Sequence, residues 1–159
     1  MDKKKIIKIS SLVGIVGILA AISIAYYMYN MPHRDIQAAD TDYKVSVEDL
    51  VAEYLASPER ANEKYLDAEG ESKILEVSGV VESISEDYNK NRVLLIQAKS
   101  APVGVSCTFS AATNQQTKNL SLGNRITVKG VIRSGAVYDA DLEMYEPVIM
   151  EKCALVPSR

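Results

Sequence analysis

The chain has few of the side chains from which most catalytic and metal sites are built. Its 159 residues include one histidine (His33), two cysteines (Cys107 and Cys153), one phenylalanine and no tryptophan. This supply is too small for a Cys/His zinc cluster, and the sequence contains neither a Ser/His/Asp arrangement nor a P-loop. We therefore expect no metal site, no cofactor and no catalytic residue.

A basic surface is also missing. Residues 1–30 hold four lysines and one aspartate, which leaves the remainder with 14 basic and 20 acidic residues and a net charge of −6. Proteins that bind nucleic acid usually present a basic surface to the phosphate backbone. The charge therefore disfavours nucleic acid as a partner.

What the chain does have is one long uncharged run, from Ile9 to Tyr29. As a helix rising about 1.5 Å per residue it would reach roughly 31 Å, close to the ~30 Å hydrocarbon core of a bilayer. Only Arg34 and Lys44 follow it closely, whereas four lysines precede it: Lys3, Lys4, Lys5 and Lys8. The positive-inside rule then predicts a single membrane span at residues 1–30, with the N-terminus in the cytoplasm and the C-terminal portion outside.

A cleaved signal peptide is the alternative for this run. Ser23-Ile24-Ala25 is an acceptable small-x-small cleavage site, and cleavage after Ala25 would release the protein. The run is longer than the ~7 to 15 apolar residues of a signal peptide, and it ends in tyrosines typical of a membrane interface. These features favour a retained anchor.

The residues after this run divide into a polar stalk (31–45) and one domain (46–156). The domain opens with two short helices over 46–67. Ser46 and Asp49 form an approximate capping box, and Pro58 restarts the helix after Ser57. An apolar stripe on the first helix predicts that it packs on the rest: Val47, Leu50, Val51, Tyr54 and Leu55.

From Ile74 onwards the apolar residues alternate with polar ones, which predicts a mainly β domain. The expected strands begin near Ile74 and cover 93–98, 103–109, 125–133 and 148–156, with a weak helix over 111–120. Five strands with a helix between the third and fourth is the chain order of the OB-fold, a five-stranded barrel.

Several segments resemble the tRNA_anti-like family of OB-fold proteins. They are Leu75–Val81, Val105–Phe109, Gly123–Gly130 and Cys153-x-Leu155. The resemblance implies a small bacterial exported or membrane-anchored protein, often from Bacteroidetes. Together with the predicted orientation of the span, this places the domain outside the bacterial inner membrane, in the periplasm. We expect its partner to be another envelope protein or an unknown ligand. The family name records a likeness to anticodon-binding domains and does not establish tRNA binding.

OB-folds bind oligonucleotides on the face of their second and third strands, often by stacking bases on aromatic side chains. Here those strands hold one aromatic, Phe109, whose phase places it in the core. A basic stripe on the fourth strand, with two further residues, is a candidate anion or nucleic-acid face: Arg125, Lys129, Arg133, Arg92 and Lys99. The alternative is an ordinary solvated strand face.

Two further groups of side chains carry weaker hypotheses. Cys107 and Cys153 lie on the third and fifth strands, which are neighbours in an OB barrel, so they form either a disulfide or two core thiols. An acidic loop could bind Ca²⁺ or serve a hydrolase, but it lacks the glycine and spacing of a calcium loop: Asp139, Asp141, Glu143 and Glu146.

The sequence thus favours a membrane-anchored, extracytoplasmic OB-fold binding or assembly module that is not an enzyme. The first alternative is an OB domain that binds nucleic acid or another anionic oligomer. The second is a carboxylate-dependent hydrolase.

Overall fold

The computed structural model describes residues 3–29, 35–66 and 72–157. The chain divides into two compact units, Met1–Arg34 and Asp35–Arg159.

The first unit contains one long helix, α1 (Lys3–Tyr29), in which residues 16–29 are exposed. Among the described residues, no helix is long and apolar enough to cross a membrane. The span and its orientation stay predictions, and cleavage after Ala25 stays the alternative. His33 lies outside the described residues.

The second unit is mainly β. Its described elements are β1 (Tyr43–Ser46), α2 (Val47–Ala56), α3 (Pro58–Tyr65), β2 (Ile74–Glu86), β3 (Arg92–Gln97), β4 (Val105–Phe109), a 3₁₀ turn (Asn114–Thr117), β5 (Arg125–Ser134), β6 (Val137–Asp139), β7 (Met144–Glu146) and β8 (Val148–Leu155).

Five of these strands close into a barrel in the order β2-β3-β4-β8-β5, and β5 pairs back onto β2. Neighbouring strands are antiparallel except β4 and β8, which are parallel. This is the predicted OB topology, with the five predicted strands in their predicted places. The alternation of side chains between the two faces of a strand explains which residues form the core of the barrel. In β2, every second residue from Leu75 to Val81 is buried.

The predicted helix between the third and fourth barrel strands is only a 3₁₀ turn. Polar side chains there bond to nearby carbonyl groups and compete with a regular helix. Thr117 Oγ1 donates to the carbonyl of Asn114 at 2.8 Å, and Thr113 Oγ1 donates to that of Cys153 at 2.7 Å. The second bond fastens the turn to β8.

The two helices before the barrel form as predicted. Ser46 caps α2 by accepting the backbone N–H of Asp49 at 3.1 Å, and Pro58 opens α3. Helix α2 buries Val47 against β2. A Cβ on Gly79 would lie only 2.7 Å from a methyl carbon of Val47, so the glycine allows this close approach.

The second part of the predicted stalk lies on the barrel. Ile36 is buried, and Lys129 on β5 donates hydrogen bonds from Nζ to the carbonyls of Gln37 and Ala39. Further along, β1 runs parallel to β2 with Tyr43 opposite Leu75. A four-residue strand and one lysine contact are too weak as patterns to be visible in the sequence.

Candidate ligand-binding surface

The surface that OB-folds use for ligands is neutral in this protein. We call it the β3–β4 face; it consists of the outward side chains of the two strands, Val93, Leu95, Gln97, Ser106 and Thr108. Val93 is paired with Thr108 and Leu95 with Ser106. Phe109 is fully buried, as predicted. The face thus offers neither cations nor aromatic rings.

A tight turn borders one end of this face. The carboxylate of Asp87 accepts the backbone N–H groups of Asn89 and Asn91, each at 2.8 Å. These bonds, with one from the Asn91 side chain, lower the pKa of Asp87. The turn holds Tyr88 at its tip, where the side chain is fully exposed.

The hairpin formed by β6 and β7 borders the other end. Val148, just after β7, donates its N–H to the carbonyl of Gly104 at 3.2 Å and pairs with Val105. Val105 pairs with Ile96, near the end of β3 farthest from the Asp87 turn. The turn and the hairpin therefore occupy the two loop positions that flank the binding face of an OB-fold.

The β6–β7 hairpin is unusually apolar for an exposed element. Five large side chains on it are each between 40% and 64% exposed: Val137, Tyr138, Leu142, Met144 and Tyr145. Tyr138 and Tyr145 are cross-strand partners with ring centroids 4.9 Å apart. Such a concentration of exposed apolar side chains is typical of a docking surface.

The hairpin has two different faces. Tyr138 and Tyr145 share one face, and their neighbours in the strands share the other: Val137, Asp139, Met144 and Glu146. Asp139 also stabilises the connecting turn, because its Oδ1 accepts the N–H groups of Asp141 and Leu142 at 2.8 and 3.0 Å. In the sequence this hairpin is visible as two triplets, Val137–Asp139 and Met144–Glu146, each with two apolar residues before an acidic one, around a four-residue turn; we did not predict it.

Three of the five candidate anion-binding residues are already engaged. Lys129 holds the segment before β1, and Arg133 pairs with Glu151 at 3.0 Å. Arg92 donates from Nε to Thr117 Oγ1 at 3.3 Å and pairs with Glu86 at 3.5 Å. Two residues of the predicted stripe, and Arg92, are therefore engaged by other groups of the domain.

The other two candidates come together. Lys99 and Arg125 line one cavity of about 310 Å³, whose wall also contains Glu48 and three serines, Ser46, Ser78 and Ser100. Within the described part of the chain, neither cation forms an ion pair. This cavity brings together two of the five predicted residues.

Residues 1–140 match the tRNA_anti-like family model. The chain belongs to this family. No curated protein sequence matches it.

One of the solved structures similar to this chain is a crystallised Klebsiella pneumoniae protein, provisionally assigned as a nucleic acid-binding lipoprotein. It is 17% identical with a TM-score of 0.56, and the match covers 79% of this chain and 100% of that one. At this identity the likeness shows the fold alone. The S. pombe Stn1–Ten1 complex is also matched, at 16% identity with a TM-score of 0.36, over 54% of this chain and 59% of that one.

The two cysteines of this tRNA_anti-like domain are buried free thiols. They lie on β4 and β8, which are neighbours as predicted, with Cys153 opposite Phe109. Burial and the adjacent Cys107 thiol raise the pKa of Cys153 well above its ordinary value. Such a thiol is a poor nucleophile. The structure has the thiol form, and the disulfide stays a prediction.

The four acidic residues of the predicted loop all belong to the β6–β7 hairpin of the tRNA_anti-like barrel, and none is buried. A carboxyl acting as a general acid at neutral pH needs a pKa raised by its surroundings, as in an apolar pocket. Across residues 3–29, 35–66 and 72–157, no group of three or more His, Cys, Asp or Glu side chains is arranged to hold a metal ion.

Proposed function

We propose that this tRNA_anti-like protein is a membrane-tethered, extracytoplasmic OB-fold module that binds another envelope protein and catalyses no reaction. The observation that carries the proposal is the exposed apolar β6–β7 hairpin beside the neutral β3–β4 face. Protein partners bury such apolar surface, whereas single-stranded nucleic acid requires a positively charged groove with stacking rings.

Charge supports a protein partner. The portion after residue 30 has a net charge of −6, and the segment from Val137 to Pro147 holds four acidic residues and no basic one. A polyanion approaching this hairpin would meet like charge, which costs affinity and slows association.

The tether is supported by the N-terminal segment. The uncharged run from Ile9 to Tyr29 follows four lysines, and α1 extends over the whole run. Residues 16–29 include several large, exposed apolar side chains, and a lipid bilayer is the environment that we propose for them.

The tether is tested by alkaline carbonate extraction of membranes from cells that express the full chain. We expect the protein to stay in the membrane at its full mass, and a Leu19→Arg variant to be released in part. Recovery of the wild-type protein in the soluble fraction at full mass would refute the tether. A soluble form that has lost its first 25 residues would show cleavage after Ala25 instead.

Partner binding is tested by placing a photo-crosslinking amino acid at Leu142, on the hairpin, in intact cells. A matched control carries it at Glu63, an exposed position on α3. We expect a discrete adduct from position 142 and none from position 63. The same adduct from both positions, or none from either, would contradict docking at the hairpin.

A second candidate function is binding of nucleic acid or another anionic oligomer. It is favoured by the Lys99 and Arg125 side chains, which line one cavity without ion-pair partners in the described part of the chain. The provisional assignment of the similar Klebsiella protein points the same way. Fluorescent single-stranded DNA and RNA should bind the full chain at low salt if this is correct.

Substitutions of surface cations provide the control for that assay. Replacing both Lys99 and Arg125 with glutamine should abolish oligonucleotide binding, whereas Lys73→Gln, at an exposed lysine outside this cavity, should not. If the wild-type chain binds neither DNA nor RNA at low salt, this second function is excluded.

A further inference from the structure

We infer that the segment bound by the hairpin is an extended protein strand in which basic and apolar residues alternate, and that it adds to the open edge of β7. The inference rests on the proposed function and specifies the chemistry of its partner. It follows from three properties of the hairpin: an open edge, two chemically different faces and a single sign of charge.

The open edge belongs to β7. Within the described residues, β7 pairs with β6 alone, and all three of its residues are exposed. Strand β6 lies beside α2, and just before it the backbone of Gly135 lies against the Tyr54 ring. An extended peptide can therefore pair its backbone with β7 more freely than with β6, as in strand addition to other sheet edges.

The two faces of the hairpin explain why basic and apolar residues should alternate in the partner strand. Side chains of an added strand point alternately to the two faces of the sheet. On one face they would meet the rings of Tyr138 and Tyr145, which favour apolar contacts. On the other they would meet Met144 and Glu146 of β7, with Val137 and Asp139 of β6 one strand further away, and this favours lysine or arginine with a long aliphatic stem.

The negative charge of the hairpin selects a basic partner strand over an acidic one. The hairpin contains Asp139, Asp141, Glu143 and Glu146 but no lysine or arginine. The nearest basic residue before it, Arg133, is paired with Glu151. Opposite charge on the partner would speed its approach, and an acidic strand would be rejected.

The test uses the full chain in mild detergent and three fluorescent decapeptides. The first consists of five Lys-Val repeats, the second has five lysines followed by five valines, and the third consists of five Glu-Val repeats. Fluorescence anisotropy gives each affinity at low and at moderate salt. We expect the alternating basic peptide to bind, the block peptide to bind at least about tenfold more weakly, and the acidic peptide not to bind.

Two variants locate the binding. The double variant Asp139→Asn with Glu146→Gln removes two negative charges, and the asparagine keeps an oxygen acceptor for the turn. It should weaken binding of the alternating basic peptide about tenfold and reduce the salt dependence of that binding. The control Tyr88→Ala, in the turn at the other end of the β3–β4 face, should leave the affinity unchanged.

Failure of the inference and failure of the proposed function give different results. If position 142 crosslinks to a partner in cells but the alternating and block peptides bind equally, or the charge variant binds normally, then docking stands and the strand chemistry is wrong. If neither the crosslink nor peptide binding occurs, both are overturned.

Discussion

Two tyrosines in the core, Tyr54 and Tyr65, should respond in opposite directions when their hydroxyl groups are removed. Both are fully buried, and their ring centroids lie 6.2 Å apart. The Tyr65 hydroxyl donates to Glu53 Oε2 at 2.8 Å, whereas the Tyr54 hydroxyl is buried and has no hydrogen-bond partner among the residues that the structure describes. The substitutions Tyr54→Phe and Tyr65→Phe therefore form a matched pair.

The magnitudes follow from the hydrogen bonds. A buried polar group without a partner costs about 1 to 3 kcal/mol, so Tyr54→Phe should increase the free energy of unfolding by about 1 kcal/mol after the small void is counted. Tyr65→Phe removes a bond to a charged group and should decrease it by about 1 to 2 kcal/mol. In a domain of this size each kcal/mol shifts the melting temperature by roughly 3 to 5 °C.

The assay is equilibrium unfolding in urea at pH 7, followed by circular dichroism, for the wild type and both variants. Loss of stability in Tyr54→Phe, comparable to that in Tyr65→Phe, would refute the reasoning, because it would mean that the Tyr54 hydroxyl has a partner in solution. Equal gains in both variants would refute it as well.

Alkaline pH gives an independent check on Tyr54. Burial raises its pKa to about 12 from an ordinary value of 10.0, so the unfolded chain loses the phenolic proton first. Stability is therefore complete below pH 10 and falls towards pH 12, by at most about 1.4 kcal/mol per pH unit from this group. The fall between pH 9 and pH 11 should be smaller in Tyr54→Phe than in the wild type.

Three further predictions concern packing, redox state and acid stability. Gly79→Ala would place a Cβ 2.7 Å from a methyl carbon of α2 and should destabilise the domain by about 1 to 3 kcal/mol in urea unfolding; an unchanged midpoint would contradict this packing. Cys107 and Cys153 should react with a thiol reagent only after denaturation, and a mass about 2 Da lower without reductant would instead show a disulfide. A hydrogen bond from Lys64 lowers the pKa of Glu53 below 4.5. The Glu53 carboxylate therefore stabilises the folded domain above pH 4.5, and this stabilisation is lost as the pH falls further. In acid titrations of the free energy of unfolding, Glu53→Gln should lose less stability than the wild type.

The barrel was predictable from the sequence because its signals are local. Alternation over β2 and β5 and the Ser46 cap of α2 each depend on residues only a few positions apart. The segment before β1 could not be found in this way, because Lys129 holds it from about 90 positions away along the chain. Its packing depends on a contact that only the folded barrel creates.

The candidate site was predictable only in part, for a related reason. The phase of β5 correctly places Arg125, Lys129 and Arg133 on one side of the strand, but whether they are available depends on acceptors on other elements. Glu151 on β8 engages Arg133, while Arg125 has no such partner among the described residues. The alternation along a strand predicts on which face a side chain lies, but it does not predict which groups from other strands contact it.

The position of β8 affects how this protein can be made. It is the last of the described strands along the chain, yet it lies between β4 and β5, which are synthesised earlier. Until residues 148–155 are available, each of those strands has an unpaired edge, and the apolar interior between them is open. The barrel therefore closes only after residues 148–155 have been synthesised, and the four barrel strands that precede them cannot complete it alone.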